Sequence, residues 1–394
     1  MPDARHDQIG ELLGLIGSGL DVPAAQRDEA RGRYEELGQW LANDHRENFS
    51  SDARIYPQGS FRLGTAVRPI DVANGHGYDV DLVYRRDLQK ESVTRDRLKE
   101  DVGRQLAGYI KYVRARGDEV PEIAPGKRCW TLTYESGFHM DVLPAIPDTG
   151  ASATSLGDPL LISDATLAQW QPSNPEGFAL WFEQRQGPLL VEKRRALARE
   201  ANVDVDGIPV YAVPTPLRQA VQLLKRHRDI HFREQYEKRP ASIIITTLAA
   251  SCYANEPSVL AALSGIIEGM RHALLQNRRN GVYWVPNPTN PQENFAERWA
   301  LDPEAASRFL AWLTSVESDL DAATSVTGLQ TVAAGLRKAF GEVATIAAVE
   351  ELGRQLQTQR DAGQLRMQSG SGLLGSSGSI VVTRHTNYGD AVQE

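Results

Sequence analysis

"YPQGSFRLGTAVRPIDVANGHGYDVDLVY", residues 56–84, carries the two signals that decide how this chain is read. The first is the small-residue turn Gly59-Ser60. The second is Asp79 and Asp81, one on each side of a valine inside the apolar run "YDVDLVYR". Alternation with period two predicts a strand that projects both carboxylates from one face. Adjacent carboxylates repel, and burying both without partners is costly, so a divalent cation is the simplest way to neutralise them. The plainer alternative is a pair of edge-strand acids facing solvent. Asp141 weighs against it, because it too sits inside an apolar strand pattern, "FHMDVLPAI" at 138–146. Three carboxylates on adjacent strands suit a pair of Mg²⁺ ions about 4 Å apart, as used in phosphoryl and nucleotidyl transfer. Oxygen ligands favour Mg²⁺ or Mn²⁺ over softer metals.

The rest of the chain sets bounds. Its 394 residues exceed one compact core and suit two domains with a tail. No stretch approaches the roughly 20 uninterrupted apolar residues of a membrane span. The start, "MPDARHDQIGELL", has charges where a signal peptide needs its apolar centre, so a cytoplasmic protein is expected. Cys129 and Cys252 make no disulfide framework and match no zinc spacing. The net charge of −8 argues against obligate DNA or RNA binding, which needs a basic excess for phosphate contacts.

Helical spacing opens the chain between residues 7 and 48, and 51–69 reads as a loop with a short helix start. Residues 92–116 form an amphipathic helix pattern. "RCWTLTYES" and "FHMDVLPAI" then look like two strands joined at Ser136-Gly137. From Pro144 to Pro188 the composition reads as irregular structure, with Trp170, Trp181 and Phe182 either anchoring it or stacking a base. Helical patterns follow from Pro216 to about residue 365, and a Gly/Ser-rich tail that reads as flexible closes the chain. The expected division is 1–205, 206–365 and 366–394: an α+β unit with the acidic strands, a helical unit and a tail. The cleft between the first two is the expected substrate site.

The ordered set "YPQGSFRLGT", "YDVDLVY", "TPLRQAVQLLKRHRD" and "NPTNPQENFAERW" resembles the bacterial cGAS/DncV-like nucleotidyltransferases, the CD-NTases of CBASS antiphage systems, within the DNA polymerase β-like superfamily. The resemblance spans roughly residues 10–365. One departure is the inserted "RPIDVANGHG" between turn and strand. The resemblance implies a polymerase β-like core of mixed sheet with flanking helices, followed by a helical domain. It implies two Mg²⁺ ions held by Asp79, Asp81 and Asp141. It also implies nucleotide contacts from Gln58, Gly59, Ser60, Lys225 and Ser242. A glycine-serine turn entering a helix suits phosphate, although Ser60 equally suits a helix N-cap. Lys225 borders the apolar stripe of its helix, where a solvated basic face is the other reading. Ser242 reads as an N-cap, with or without a nucleotide contact. His227 and His231 have a zinc-compatible spacing but no further ligands nearby, so a basic surface is expected.

The implied activity is synthesis of a cyclic di- or trinucleotide from NTPs, ATP or GTP by preference, acting on a downstream effector in antiphage signalling. The alternatives are nucleotide addition to an RNA or protein acceptor, and a non-catalytic nucleotide-binding module. In the tail, "SIVVTRHTNYGD" either packs on the chain itself or is captured by an activating or conjugating partner.

Overall fold

The computed structural model describes residues 4–42, 53–70, 77–135, 137–152, 156–164, 169–367, 369, 374–375 and 378–382. Its central sheet takes β1 (Arg54–Gln58), β2 (Asp79–Arg85), β3 (Glu122–Pro125), β4 (Trp130–Thr133) and β5 (His139–Pro147) in the order β1-β2-β5-β4-β3. The long β5 extends past β4, and its end pairs with β6 (Leu160–Ile162), which pairs with β7 (Gln171–Ser173). Only β2 and β5 run parallel, so the acidic strands lie side by side in the sheet centre. Neither is an edge strand.

The alternation in β2 follows from its two environments. Val80, Leu82 and Tyr84 point into a core with Leu132, Met140 and Val142. Against these packs the helix Arg95–Arg116, through Val102, Leu106, Tyr109 and Val113. Thr94 caps that helix by accepting from the Arg97 N–H, and Gly117 ends it at φ +77°. Asp79 and Asp81 face the other way.

Three helices precede it: α1 (Ala4–Gly19), α2 (Ala24–Ala42) and the five-residue α3 (Gly59–Leu63), which makes the Arg95–Arg116 helix α4. The stretch read as irregular contains β6, β7 and α5 (Pro175–Arg185), and α6 (Gly187–Ala201) follows. Asn174 accepts from the Gly177 N–H and Pro175 begins α5, a standard helix entry hidden by the local Pro/Gly content. Phe182 is fully buried and Trp181 packs against the same core, so these two rings anchor the segment. Trp170 packs beside Leu98 and Ile146.

The larger core joins α7 (Pro216–His231), α8 (Ser242–Cys252), α9 (Val259–Gln276), α10 (Ala305–Ser325), α11 (Leu329–Phe340) and α12 (Glu342–Asp361). It also takes in Ile9, Leu12, Leu13 and Ile16 of α1 and Phe178 and Phe182 of α5. Two short strand pairs lie between α9 and α10: β8 (Arg278–Arg279) with β9 (Val282–Tyr283), and β10 (Pro286–Asn287) with β11 (Asn290–Asn294).

At the centre α7 is buried on every side from Pro216 to Arg228, so its polar side chains must find partners. They grip the loop after α3. Arg218 donates to the Gly64 carbonyl (2.6 Å), Gln222 to Ala66 (3.2 Å), Lys225 to Thr65 (3.0 Å) and Arg226 to Arg68 (2.5 Å). The solvated basic face, the other reading for Lys225, is therefore absent. The same holds for His227, which is buried. Trp312 Nε1–H donates to its Nδ1 (3.1 Å), which leaves Nε2–H to donate to Asp319 (3.0 Å). Among the described residues no third His, Cys, Asp or Glu joins the pair in a group of three that could hold a metal, and the His227 and His231 rings stack on each other.

Beyond α12, β12 (Arg366–Met367) lies between β13 (Leu374–Gly375) and β14 (Ile380–Val381). The apolar cluster of the tail thus pairs with the chain's own strand. The rest of the Gly/Ser-rich segment and residues 71–76 of the insertion lie outside the described residues. No described helix is long and apolar enough to cross a membrane.

Candidate active site

Parallel pairing of β2 with β5 sets Asp79 beside His139 and Asp81 beside Asp141. All four stand on the sheet face turned away from α4. On the other side of β2, antiparallel β1 brings Gln58 level with Asp81 and delivers Gly59 and Ser60 at the start of α3. Gly59 has φ +60°, and a Cβ there would collide with Asp81 Oδ2. The turn needs glycine because the carboxylate stands directly against it. From the opposite wall α7 supplies Lys225, and the N-terminal turn of α8 supplies Ser242.

One cavity of about 420 Å³ is lined by Gly59, Ser60, Asp79, Asp81, Asp141, Lys225 and Ser242. Gln58 is the exception among the sequence candidates: it lines a neighbouring 130 Å³ cavity that Gly59 also borders. Neither proposed cap holds. The residue at the N-cap of α3 is Gln58, without a side-chain cap bond, so Ser60 lies inside the helix. Ala241 occupies the N-cap of α8, and Ser242 Oγ instead accepts from Arg228 Nη1 (2.8 Å).

The electrostatics are those of like charges held close together. Burial, then Asp141, then Asp79 push the Asp81 carboxyl up to about 7, with Lys225 opposing. Burial and Arg228 bring the Lys225 ammonium down to about 7, with Asp229 and Asp81 opposing. Lys225 is 3% exposed and spends its hydrogen bonds on the Thr65 carbonyl and Oγ1 (3.1 Å). A cation among the carboxylates would reverse the Asp81 shift, and the all-oxygen donor set fits Mg²⁺ or Mn²⁺. The carboxylates do not close into a ready cage, which fits an ion held by one or two of them and by substrate phosphates.

Sequence reading missed three contributors. Thr131 Oγ1 donates to Asp141 Oδ1 (2.5 Å) and holds that carboxylate in place. Thr133 Oγ1 lies 3.2 Å from His139 Nδ1. His139 itself was visible as the residue two before Asp141, hence on its face of the strand. A second cavity of 420 Å³ opens from the first and adds Arg68, Tyr78, Arg228, Tyr236 and Arg239 to the wall.

A mixed sheet with three carboxylates on two parallel strands, a glycine-serine turn at their flank and helices α7 and α8 across the cavity is an arrangement suited to metal-assisted nucleotidyl transfer. Residues 15–186 match the Second Messenger Oligonucleotide or Dinucleotide Synthetase (SMODS) domain. The chain is 26% identical over 392 residues to a c-di-GMP synthase of Roseivirga ehrenbergii, covering 97% of this chain and 98% of that protein. It is 25% identical over 427 residues to the cyclic dinucleotide synthase CdnG of Bradyrhizobium diazoefficiens, covering 98% and 96%. The structure of the B. diazoefficiens CD-NTase CdnG in complex with GTP superposes with a TM-score of 0.68 at 21% identity, over 88% of this chain and 99% of that one. Over nearly its whole length the chain is thus similar to bacterial cyclic dinucleotide synthases, and it shares the fold of a CD-NTase.

Proposed function

We propose that this chain is a CD-NTase that makes a cyclic dinucleotide from NTPs, with GTP as the preferred substrate. The observation that carries the reading is the register of Asp81 with Asp141 beside the Gly59-Ser60 turn, with Lys225 facing them across one cavity. Full-length similarity to a protein named c-di-GMP synthase and to one named CdnG supports guanine as the base.

In this reading Ser60 and the backbone at Gly59 hold triphosphate oxygens, and Lys225 and Ser242 approach them from the helical side. Gln58 contacts the nucleotide from the adjoining cavity. Asp79, Asp81 and Asp141 would hold two Mg²⁺ ions, or Mn²⁺ in their place, and these would neutralise the triphosphate and acidify the acceptor hydroxyl. An acceptor ribose oxygen bonds to the α-phosphorus of the donor and passes its proton to Asp141. The bond from that phosphorus to the β-phosphate oxygen breaks and pyrophosphate leaves. A second transfer of the same kind closes the ring. Positioning and charge neutralisation supply most of the acceleration. The product acts on an effector in antiphage defence in the cytoplasm.

Incubating the purified chain with the four NTPs and Mg²⁺, followed by mass spectrometry, tests this. The expected result is a small nuclease-resistant product with the mass of cyclic di-GMP. Transfer that occurs only when an RNA or protein acceptor is added would overturn it.

A further inference from the structure

We propose that His139 is a specificity-determining residue: its Nε2 holds the acceptor ribose hydroxyl that does not attack, and so fixes which hydroxyl forms the new linkage. This rests on the nucleotidyl-transfer reading above.

Its position comes first. Ser60, Asp79, His139, Lys225 and Ser242 line both 420 Å³ cavities, so they mark the threshold between them. A donor triphosphate on the Gly59-Ser60 turn and an acceptor nucleoside in the outer cavity would meet at this line. Four of the five threshold residues already face phosphate or metal in the proposed mechanism. His139 has no such task, because an imidazole is a poor ligand for Mg²⁺ beside three carboxylates.

Its orientation comes second. Pairing of β4 with β5 sets Thr133 opposite His139, as it sets Thr131 opposite Asp141. Thr133 Oγ1 bonds to Nδ1, and among the described residues no protein group takes Nε2. The ring is therefore tethered by one nitrogen at the first residue of β5, with the other free for a ligand. A neutral imidazole tethered in this way offers one donor or one acceptor at a fixed point, and either role suits a hydroxyl. The two hydroxyls of a ribose are chemically alike. An enzyme can distinguish them only by where it holds them, and a displacement of about 1 Å is enough to lose a productive approach. One fixed hydrogen bond to one of the pair is the smallest device that does this. The bonds made and broken at phosphorus are unchanged.

The test compares wild type, His139→Ala, His139→Asn and His139→Gln. The Gln amide reaches the place of Nε2, whereas the Asn amide reaches only that of Nδ1. Product linkages are read by linkage-specific nuclease digestion and mass spectrometry. Wild type and H139Q should form one linkage, and H139A and H139N a mixture of 2′–5′ and 3′–5′ with selectivity reduced at least tenfold. Binding of GTP, 2′-deoxyGTP and 3′-deoxyGTP provides a readout that does not need turnover. Removing the non-attacking hydroxyl should weaken binding to wild type several-fold and leave binding to H139A unchanged. A single wild-type linkage in H139A, or equal losses for both proteins with the deoxy nucleotides, overturns the assignment while leaving the synthase reading intact. A wild-type protein that forms no product from NTPs sinks the parent reading instead.

Discussion

The Asp81 carboxylate lies against the backbone of Gly59, so closely that a single added methyl group would strike its Oδ2. The glycine-serine turn and the acidic strand are thus built as one piece, through the β1–β2 pairing that sets Gln58 opposite Asp81. Gly59→Ala should therefore fail twice. Its φ of +60° costs an L-residue about 1–2 kcal/mol, and the new Cβ must push the turn or the carboxylate aside. Synthesis from NTPs should fall at least tenfold, with a lowered melting temperature. A variant that melts early yet turns over at the wild-type rate would show that the contact matters only to folding.

Asp79→Asn with Asp81→Asn separates charge from shape. Asp81 is half-buried, and Asp141 and Asp79 both oppose its ionisation, so amides should leave the metal-free melting temperature unchanged or raise it. Product should disappear, since loss of metal ligation removes several kcal/mol of transition-state stabilisation. The rise in melting temperature on adding Mg²⁺ with GTP should shrink as well. Turnover above a tenth of wild type would place the chemistry elsewhere.

Stability should depend on pH in a way set by two groups of the cavity wall, half-buried Asp81 and buried Lys225. Asp81 holds its proton in the folded state up to about 7 but in an unfolded chain only to its ordinary 3.8. Its contribution is therefore whole below about pH 4 and is lost as pH rises through 7. Lys225 is the mirror case, at about 7 folded against an ordinary 10.5. Its contribution is whole above about pH 10.5 and is lost as pH falls through 7. Metal-free protein should show a dip in melting temperature near neutral pH. Asp81→Asn should flatten the acid arm of that dip, and Lys225→Met the alkaline arm. Parallel profiles for wild type and both variants would show that neither group titrates as stated. Lys225→Met should also weaken nucleotide binding, because the triphosphate loses its cation from α7.

What was legible in the sequence follows the same physics. The period-two pattern of residues 78–85 showed β2 because one face meets an apolar core and the other carries acids. Asp141 stood out for the same reason. β1 was invisible: "RIYPQ" has no alternation and contains Pro57, which is tolerated because β1 pairs on only one side. The face of α7 misled for a different reason. His227 read as basic surface, and a solvated face stayed open as the other reading for Lys225, because their partners are Trp312, Asp319 and Thr65, none of which a helical wheel displays. Nor does local patterning reveal that α1, at the start of the chain, packs in the same core as α12.

The tail offers a prediction that the small sheet beyond α12 sharpens. Ile380 pairs with Met367 and Val381 with Arg366, so the apolar cluster occupies an edge of the chain's own β12. A partner that adds a strand must then use an outer side of β13 or β14, or displace β14 from β12. The sheet buries little: Leu374, Ile380 and Val381 remain 37%, 42% and 53% exposed. With so little apolar area removed from water, its contribution to the fold should be small. No residue of this sheet lines either cavity at the aspartates. Deleting residues 369–394 should therefore leave basal synthesis from NTPs near the wild-type rate, with only a small change in melting temperature. Activation or partner binding should be what the truncation weakens. Loss of basal activity, or unfolding, would show that β13 and β14 are needed to hold α12 against α1, and that the helical unit does not end near residue 365.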